Sequence, residues 1–303
     1  MKRLIIALAA SAVLTTSAMA QNMGVSMAVF DDNFRTILRE AIAARAQEQG
    51  VSAQFEDAQG DVGRQLSQVQ NFVAQKVDVI VVNPVDSAAT ASMTKLAVAA
   101  GIPLVYVNNK PDEELPEGAI YVGSDETVSG KLQGEEIARQ LNNKGNIAIM
   151  MGELAHNAAT LRTEGVEKVV AEHPEMQIVE KQTANWQRTD AIDLMNNWLV
   201  SGVKMDAVAA NNDEMAIGAI IALQQAGRDP KELIIAGVDA TQDALTEMQR
   251  GNLDITVFQD GVAQGTAVVD SALKMIKGEK VESPVWVPFQ LVTQDNYQQF
   301  LGK

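Results

Sequence analysis

Apolar stretches of strand length alternate with amphipathic stretches of helix length along most of the chain. The first predicted strands are "GVSMAVF", "VSAQFED", "VDVIVV" and "IPLVYV", and helices are predicted between them at 34–49, 62–75 and 87–100. The run "VDVIVV" is almost entirely apolar, which is typical of a strand that helices cover on both faces. Strands that alternate with helices in this way form parallel sheets with right-handed crossovers.

The same alternation starts again after "AIYVGS". The predicted helices are 128–141, 159–171, 189–199, 214–226 and 241–250, and the strands between them are "GNIAIMM", "MQIVEKQ", "MDAVAA", "LIIAGV" and "LDITVFQ". A last helix at 262–277 precedes extended segments around "SPVWVPFQLV". The sequence therefore predicts an α/β fold with two small doubly wound parallel sheets. Because open parallel sheets bind ligands at the carboxyl ends of their strands, two facing lobes would share one cleft.

The first 20 residues have the pattern of a secretory signal peptide. Lys2 and Arg3 precede the apolar run "LIIALAASAVL", and small residues stand at Ala18 and Ala20. The apolar run is shorter than the roughly 20 residues that a membrane-spanning helix needs. We expect cleavage after Ala20 and export of the mature protein.

The composition argues against several classes of function. A net charge of −15 repels nucleic acid and anionic lipid, so we expect no nucleic-acid partner. The chain has no cysteine and two histidines, His156 and His173, which argues against a zinc site and a Ser-His-Asp triad. We expect no catalytic residue, cofactor or metal. The enzymatic alternative is a sugar hydrolase that would use Asp31 and Asp239 as paired carboxylates.

Short polar side chains follow nearly every predicted strand. They are Asp31, Asp32 and Asn33 after the first strand, then Asn83 and Asp86, Asn108 and Asn109, Asn211, Asn212 and Asp213, Asp239, and Gln259 and Asp260. Each of them alone is explained as a helix cap. Their repetition favours a ligand rich in hydroxyl groups, because carboxylates accept hydrogen bonds and amides both donate and accept them.

Four further side chains suit such a ligand. Phe30, Phe34 and Trp186 lie at or near strand ends, where a ring could cover the C–H face of a sugar or cyclitol. Arg162 lies near the start of a predicted helix, and its guanidinium could bond two hydroxyl groups at once.

Five motifs resemble those of the ribose- and galactose-type periplasmic binding proteins of ABC importers. They are "DVIVVNPVDS", "GIPLVYVNN", "NNDEMAIGA", "AGVDATQD" and "KGEKV", in that order, and the resemblance covers about 23–292. It implies the type I architecture, with two Rossmann-like lobes joined by a three-segment hinge that close on one sugar in the periplasm. The expected lobes are 22–124 plus 260–290, and 125–259 plus 291–303.

The resemblance also implies a set of ligand contacts. They are Asp31, Asn33, Phe34, Asn108, Asn109, Arg162, Trp186, Asn212, Asp239 and Gln259. Of the polar residues that follow "AVAA", Asn212 is expected to face the ligand, whereas Asp213 and Glu214 cap and start the next helix.

The expected ligand is myo-inositol or a related cyclitol. The stretches "MGELAHNAATLRTEGV" and "QTANWQRTDAIDLMNNWL" look most like the inositol- and rhizopine-binding branch of that family. Asn108 and Asn109 replace an Asp-Arg pair that is common among the sugar binders, which argues against ribose. A pentose or hexose is the alternative, and an amino-cyclitol could place its ammonium group near Asp31 or Asp239. The resemblance implies an ABC permease of the inner membrane as partner, and a chemoreceptor or sensor kinase is the alternative.

Overall fold

The structure is a computed structural model that describes residues 21–302, so the predicted signal peptide lies outside the described residues. The first lobe begins with β1 (Asn22–Met27), α1 (Asn33–Glu48), β2 (Ser52–Asp57), α2 (Val62–Gln75), β3 (Val79–Val82), α3 (Ala91–Ala99), β4 (Leu104–Val107) and β5 (Ala119–Gly123). The second lobe follows with α4 (Glu126–Gln140), β6 (Lys144–Met151), α5 (Asn157–Ala171), β7 (Glu175–Thr183), α6 (Arg188–Ser201), β8 (Ala207–Ala210), α7 (Asp213–Gln225), β9 (Ile234–Ala236), α8 (Gln242–Arg250) and β10 (Ile255–Phe258). The chain ends with α9 (Gly261–Ile276), β11 (Val285–Trp286) and β12 (Gln290–Thr293).

The strands form two sheets of the same design. The first has the order β11-β5-β4-β3-β1-β2, and the second has the order β12-β10-β9-β8-β6-β7. All neighbouring strands are parallel except β10 and β12, which pair antiparallel. The chain passes between the sheets after β5, after β10, and between β11 and β12. This is the predicted arrangement of two doubly wound lobes with a three-segment hinge, and it directs the carboxyl ends of both sheets towards one cleft.

Each sheet is buried on both faces, as the apolar strands predicted. On the first sheet, Leu38 of α1 and Val268 of α9 pack on one face, and Phe72 of α2 and Met93 of α3 pack on the other. The second sheet is covered on one face by α6, α7 and α8 and on the other by α4 and α5. Among the described residues, no helix combines the length and hydrophobicity needed to cross a bilayer.

Two predicted boundaries were wrong, the end of the first strand and the start of the third helix. In both places the chain makes contacts with distant segments. The first strand ends at Met27 rather than at residue 30, and the chain then turns along the cleft. Helix α3 begins at Ala91 rather than at Ser87. The Ser87 amide donates to the Ala155 carbonyl of the second lobe at 3.0 Å, and the Ser87 carbonyl accepts from the Asp112 amide at 3.0 Å. These bonds occupy backbone groups near the predicted start of the helix.

Candidate functional site

A polar cavity lies between the lobes at the carboxyl ends of the strands. The first lobe contributes Asp32, Phe34, Arg35, Asn108 and Asn109, and the second contributes Glu126, Ala158, Arg162, Trp186, Asn212, Asp239 and Gln259. The accessible volume of the cavity is about 40 Å³. This is far below the roughly 300–1,000 Å³ of typical small-molecule sites, so a sugar-sized ligand would need the lobes or the lining side chains to move apart.

Eight of the ten predicted contact residues line this cavity. They are Phe34, Asn108, Asn109, Arg162, Trp186, Asn212, Asp239 and Gln259. The other two, Asp31 and Asn33, lie instead in an outer groove of about 380 Å³ at the mouth of the cleft. The Asn33 amide nitrogen donates to Glu214 across the cleft at 2.6 Å. Contact with ligand remains a prediction for all ten residues.

The cavity also holds four residues that the sequence analysis did not select as contacts. They are Asp32, Arg35, Glu126 and Ala158. Asp32 caps α1 by accepting from the Arg35 amide at 2.7 Å, which is the ordinary role of an Asp in that position, and it also lines the cavity. The only available signal for Arg35 was its place on the first turn of a helix that follows a strand end.

Arg162 is the centre of the polar network in the second lobe. Within the buried guanidinium, Nε donates to Glu126 Oε2 at 2.6 Å, and Nη1 donates to the Asn211 carbonyl at 2.7 Å. Nη2 donates to Gln259 Oε1 at 3.3 Å, and Nη1 lies 3.9 Å from Asp239 Oδ1. Burial opposes the positive charge, but the two carboxylates outweigh it and raise the pKa of Arg162. Arg162 is therefore charged and held in one orientation.

Helix packing brings Arg162 to this position. A side chain at Gly130 in α4 would overlap the backbone of Arg162 in α5. Because glycine has no side chain, the two helices approach closely. This approach places Glu126, on the first turn of α4, beside the guanidinium. The Arg162–Glu126 pair thus depends on a small residue one turn away.

Several polar groups that line the cavity have no partner among the residues that the structure describes. Gln259 Nε2 and Glu126 Oε1 are buried without a hydrogen bond. Arg35 is 7% exposed, and its guanidinium makes no hydrogen bond or ion pair with the described residues. Unpaired buried polar groups cost about 1–3 kcal/mol each, so they fit a ligand that supplies donors and acceptors. These groups come from both lobes.

Asn212 contributes to the cavity while it caps a helix. Its Oδ1 accepts from the Met215 amide at 3.0 Å, and its Nδ2 donates to the Trp186 carbonyl at 3.2 Å. The expectation that Asp213 and Glu214, rather than Asn212, would cap α7 was therefore wrong. The carbonyl oxygen of the Asn212 side chain reaches the free backbone amides because Asn212 has extended backbone angles.

Asp213 has a structural role in the second lobe. Its Oδ1 accepts from Thr256 Oγ1 at 2.7 Å, and its Oδ2 accepts from the Thr241 amide at 2.8 Å. Burial raises the pKa of Asp213 to about 7, although the hydrogen bonds oppose the shift. Glu214 lies at the cleft mouth and pairs with Arg188 at 2.8 Å.

Three cavity residues have left-handed backbone angles, which are unfavourable for side chains other than glycine. The φ values are 64° at Asn108, 63° at Trp186 and 120° at Asp239. Such conformations cost roughly 1–3 kcal/mol each and are concentrated at functional sites. Burial raises the pKa of Asp239 well above its ordinary value, and Arg162 opposes that shift.

The Trp186 ring forms one wall of the cavity. A side chain at Gly152 would overlap the indole, so this glycine leaves room for the ring. Arg162 Cζ lies 5.6 Å from the centre of the ring, within the range of a cation–π contact. The ring is 7% exposed, so the protein itself holds it in place.

The paired asparagines of the first lobe are held by the backbone around them. The Asn108 carbonyl accepts from the Tyr121 hydroxyl at 2.7 Å, and Asn109 Nδ2 donates to the Pro84 carbonyl at 2.7 Å. In residues 21–302, no cluster of three or more His, Asp and Glu side chains is placed to hold a metal ion.

The chain resembles known proteins over its whole length. A relative from Rhizobium meliloti named "Putative rhizopine-binding protein" is 51% identical over 100% of both chains. The ribose import binding protein of Bacillus subtilis is 30% identical and covers 90% of this chain and 87% of its own. A solved ABC transporter solute binding protein from Bacillus halodurans, with bound myo-inositol, is 42% identical with a TM-score of 0.90, over 95% of this chain and 99% of its own.

A family model described as a periplasmic binding protein domain matches residues 23–280. This range includes both sheets except β11 and β12 at their edges, and every residue that lines the cavity. The chain belongs to the periplasmic binding protein family.

Proposed function

We propose that this chain is the periplasmic binding protein of an ABC importer and that it binds myo-inositol or a closely related cyclitol between its lobes. The observation that carries the proposal is a cavity between the lobes that is lined by Arg35 and by two buried polar atoms without a partner among the described residues, Glu126 Oε1 and Gln259 Nε2. A small, hydroxyl-rich molecule can pair with all three, because each hydroxyl both donates and accepts. The Bacillus halodurans structure with bound myo-inositol supports the choice of ligand.

The lobes would close by hinge bending, and the ligand would stabilise the closed form. Only a ligand with different affinities for the two forms can shift their equilibrium, so it must contact both lobes. Arg35 and Asn108 would serve this purpose from the first lobe, and Arg162, Asp239 and Gln259 from the second. A dissociation constant near 1 μM corresponds to about −8 kcal/mol, which several buried hydrogen bonds can supply.

Delivery to a membrane permease would follow closure. The predicted export signal and the importer context of the relatives support this partner. A sensory role, in which the closed form is presented to a chemoreceptor or sensor kinase, is the alternative. It would use the same cavity and the same closure, and a pull-down from membranes that contain an ABC permease would separate the two roles.

An amino-cyclitol is the second candidate ligand. Asp32, Glu126 and Asp239 line the cavity with Arg35 and Arg162. Burial disfavours the charged form of Asp239, so an ammonium group beside Asp239 would favour its ionised form, and Asp32 is the alternative partner for that group. A pentose or hexose is the third candidate, supported by the ribose-binding relative.

Titration calorimetry of the mature protein tests the proposal. The candidates are myo-inositol, an amino-cyclitol, ribose and galactose, and a thermal-shift screen with the same compounds gives an independent reading, since a bound ligand raises Tm. We expect micromolar affinity for myo-inositol. Binding of ribose or galactose with no heat from either cyclitol would contradict the proposed ligand, and turnover of any of them would contradict a binding protein.

A further inference from the structure

His156 is a buried residue beside the cavity that the proposed mechanism does not use. It lies in the loop between β6 and α5 and is 2% exposed. Its Nδ1 accepts a hydrogen bond from Trp186 Nε1 at 2.8 Å, and its Nε2 lies 3.0 Å from the Val85 carbonyl. The imidazole therefore connects the ring that walls the cavity to the opposite lobe.

The two partners determine the protonation state of the ring. The indole Nε1–H of Trp186 can only donate, and the carbonyl of Val85 can only accept. Nδ1 must therefore be bare and Nε2 must carry the proton, which is a neutral imidazole. A protonated ring would direct an N–H at the indole N–H, and the contact would become repulsive.

One of the two His156 contacts stays within a lobe, and the other crosses between the lobes. Trp186 belongs to the same lobe as His156, whereas Val85 belongs to the first lobe. Neighbouring bonds also cross the cleft here: the Ser87 amide donates to the Ala155 carbonyl at 3.0 Å, and Asn157 Nδ2 donates to the Lys110 carbonyl at 2.8 Å. Opening of the lobes would break the Val85 bond and leave the Trp186 bond intact.

The charges around His156 come from three elements. The positive charge of Arg35 acts on it from α1, Glu153 Oε2 lies 3.8 Å from Nε2 within the same loop, and Arg162 of α5 lies over the Trp186 ring. Burial, and then Arg35, lower the pKa of His156 to about 3, although the bond to Val85 opposes the shift. Burial raises the pKa of Glu153, so this neighbour has the opposite pH dependence.

We propose that His156 is a positioning residue that couples closure of the lobes to the orientation of the Trp186 ring, and that only its neutral form does so. This inference rests on the proposed function, because it treats Trp186 as a wall of the ligand site. Opening exposes the imidazole and returns its pKa towards the ordinary value of about 6.5.

The sign of the pH effect follows from that difference. A pKa that is lower in the closed form means that closure expels a proton whenever the open form is protonated. Affinity is therefore full above about pH 6.5 and falls as the pH drops towards 3, by at most tenfold per pH unit. Glu153 has the opposite effect on affinity, since its raised pKa means that protonation at low pH favours the closed form.

Calorimetry with myo-inositol from pH 7.5 to pH 4.5 tests this coupling in the wild type, His156→Gln and His156→Ala. The glutamine amide offers one acceptor and one donor and does not titrate. We expect wild-type affinity to fall at least tenfold over this range with proton release, and His156→Gln to hold or slightly gain affinity. His156→Ala should bind at least fivefold more weakly than His156→Gln at pH 7.5. A flat wild-type profile, or the same slope in His156→Gln, would overturn the coupling.

A second measurement is independent of the ligand. In His173→Gln, His156 is the single histidine of the mature chain, so ¹⁵N spectra report its ring nitrogens alone. We expect the Nε2–H tautomer at pH 7.5 in the ligand-free protein, because the Trp186 bond lies within one lobe. An Nδ1–H tautomer would overturn the positioning role. Retention of the Nε2–H tautomer without any heat from myo-inositol would contradict the proposed ligand and leave the positioning role supported.

Discussion

Arg162 Nε lies 2.6 Å from Glu126 Oε2 in the wall of the interlobe cavity, and both side chains are at most 5% exposed. The carboxylate belongs to the first turn of α4, directly after the first crossing between the lobes, and the guanidinium belongs to α5. The pair therefore links the hinge region to the cavity.

Removal of the Glu126 charge should destabilise the fold. In Glu126→Gln, the buried guanidinium loses its nearest counter-charge, and loss of one partner of a buried pair costs about 3–5 kcal/mol. Urea unfolding of the ligand-free protein measures this loss. Glu175→Gln is the control, because Glu175 pairs with Lys144 at 2.9 Å on the surface and should show no measurable change. Equal stabilities of Glu126→Gln and the control would contradict the role of the pair.

Replacement of Arg35 should weaken binding without loss of stability. Arg35→Met removes a buried guanidinium that makes no hydrogen bond or ion pair with residues 21–302, so the free energy of unfolding without ligand should stay the same or increase. The affinity for myo-inositol should fall at least tenfold, since a charge-assisted hydrogen bond is lost. Arg64→Met on the exposed face of α2 is the matched control for both measurements. A destabilised Arg35→Met with normal affinity would show that the guanidinium supports the fold instead.

Truncation of Trp186 should weaken ligand binding while the fold is kept. Trp186→Ala removes the ring that walls the cavity, and we expect a loss of about 1–3 kcal/mol of binding energy by calorimetry. Trp186→Phe retains an aromatic ring but loses the bond to His156, so its affinity should be intermediate. Trp286→Ala removes a half-exposed tryptophan that does not line the cavity and should bind as the wild type does. Unchanged affinity in Trp186→Ala would refute the contact.

The free energy of unfolding should contain a contribution from Asp213 that decreases as the pH rises towards neutrality. Its pKa is raised to about 7 in the folded protein by burial, against an ordinary value of 3.8, so the folded state holds a proton that the unfolded state releases. This contribution is complete below about pH 4 and is lost as the pH rises through 7, at up to about 1.4 kcal/mol per pH unit. Unfolding of the wild type and Asp213→Asn at pH 5, 6, 7 and 8 isolates it as the difference between the two proteins. A difference that is constant with pH would contradict the raised pKa.

The periodicity of the chain was enough to predict both sheets. The apolar run at β3 shows why: Val79 and Val81 pack against α1 and α9, and Ile80 and Val82 pack against α2 and α3. A strand buried on both faces needs no polar positions, and this pattern is visible in one sequence. The start of α3 was not visible, because interlobe bonds near Ser87 oppose the local preference for helix.

The site was predicted in part, and the errors have a geometric cause. Polar residues after strands indicated the cleft, and Asn108, Asn212 and Asp239 lie there. The sequence could not distinguish Asp31 from Asp32, since adjacent residues in a turn point in different directions. Arg35 and Glu126 were missed because a charge on the first turn of a helix is usually solvated. Glu126 is buried because α4 packs on α5 and meets Arg162, and Arg35 is buried in the wall of the cavity between the lobes.

The sequence by itself determined the elements, the two parallel sheets and the end of each sheet that carries the polar groups, because these depend on periodicities within short segments. Tertiary structure decided which of the polar groups are paired. Arg162 meets Glu126 because Gly130 allows two helices to approach, and His156 meets Val85 because the lobes touch across the cleft. Both relationships join segments far apart in the chain, and their energies depend on burial that no local pattern encodes.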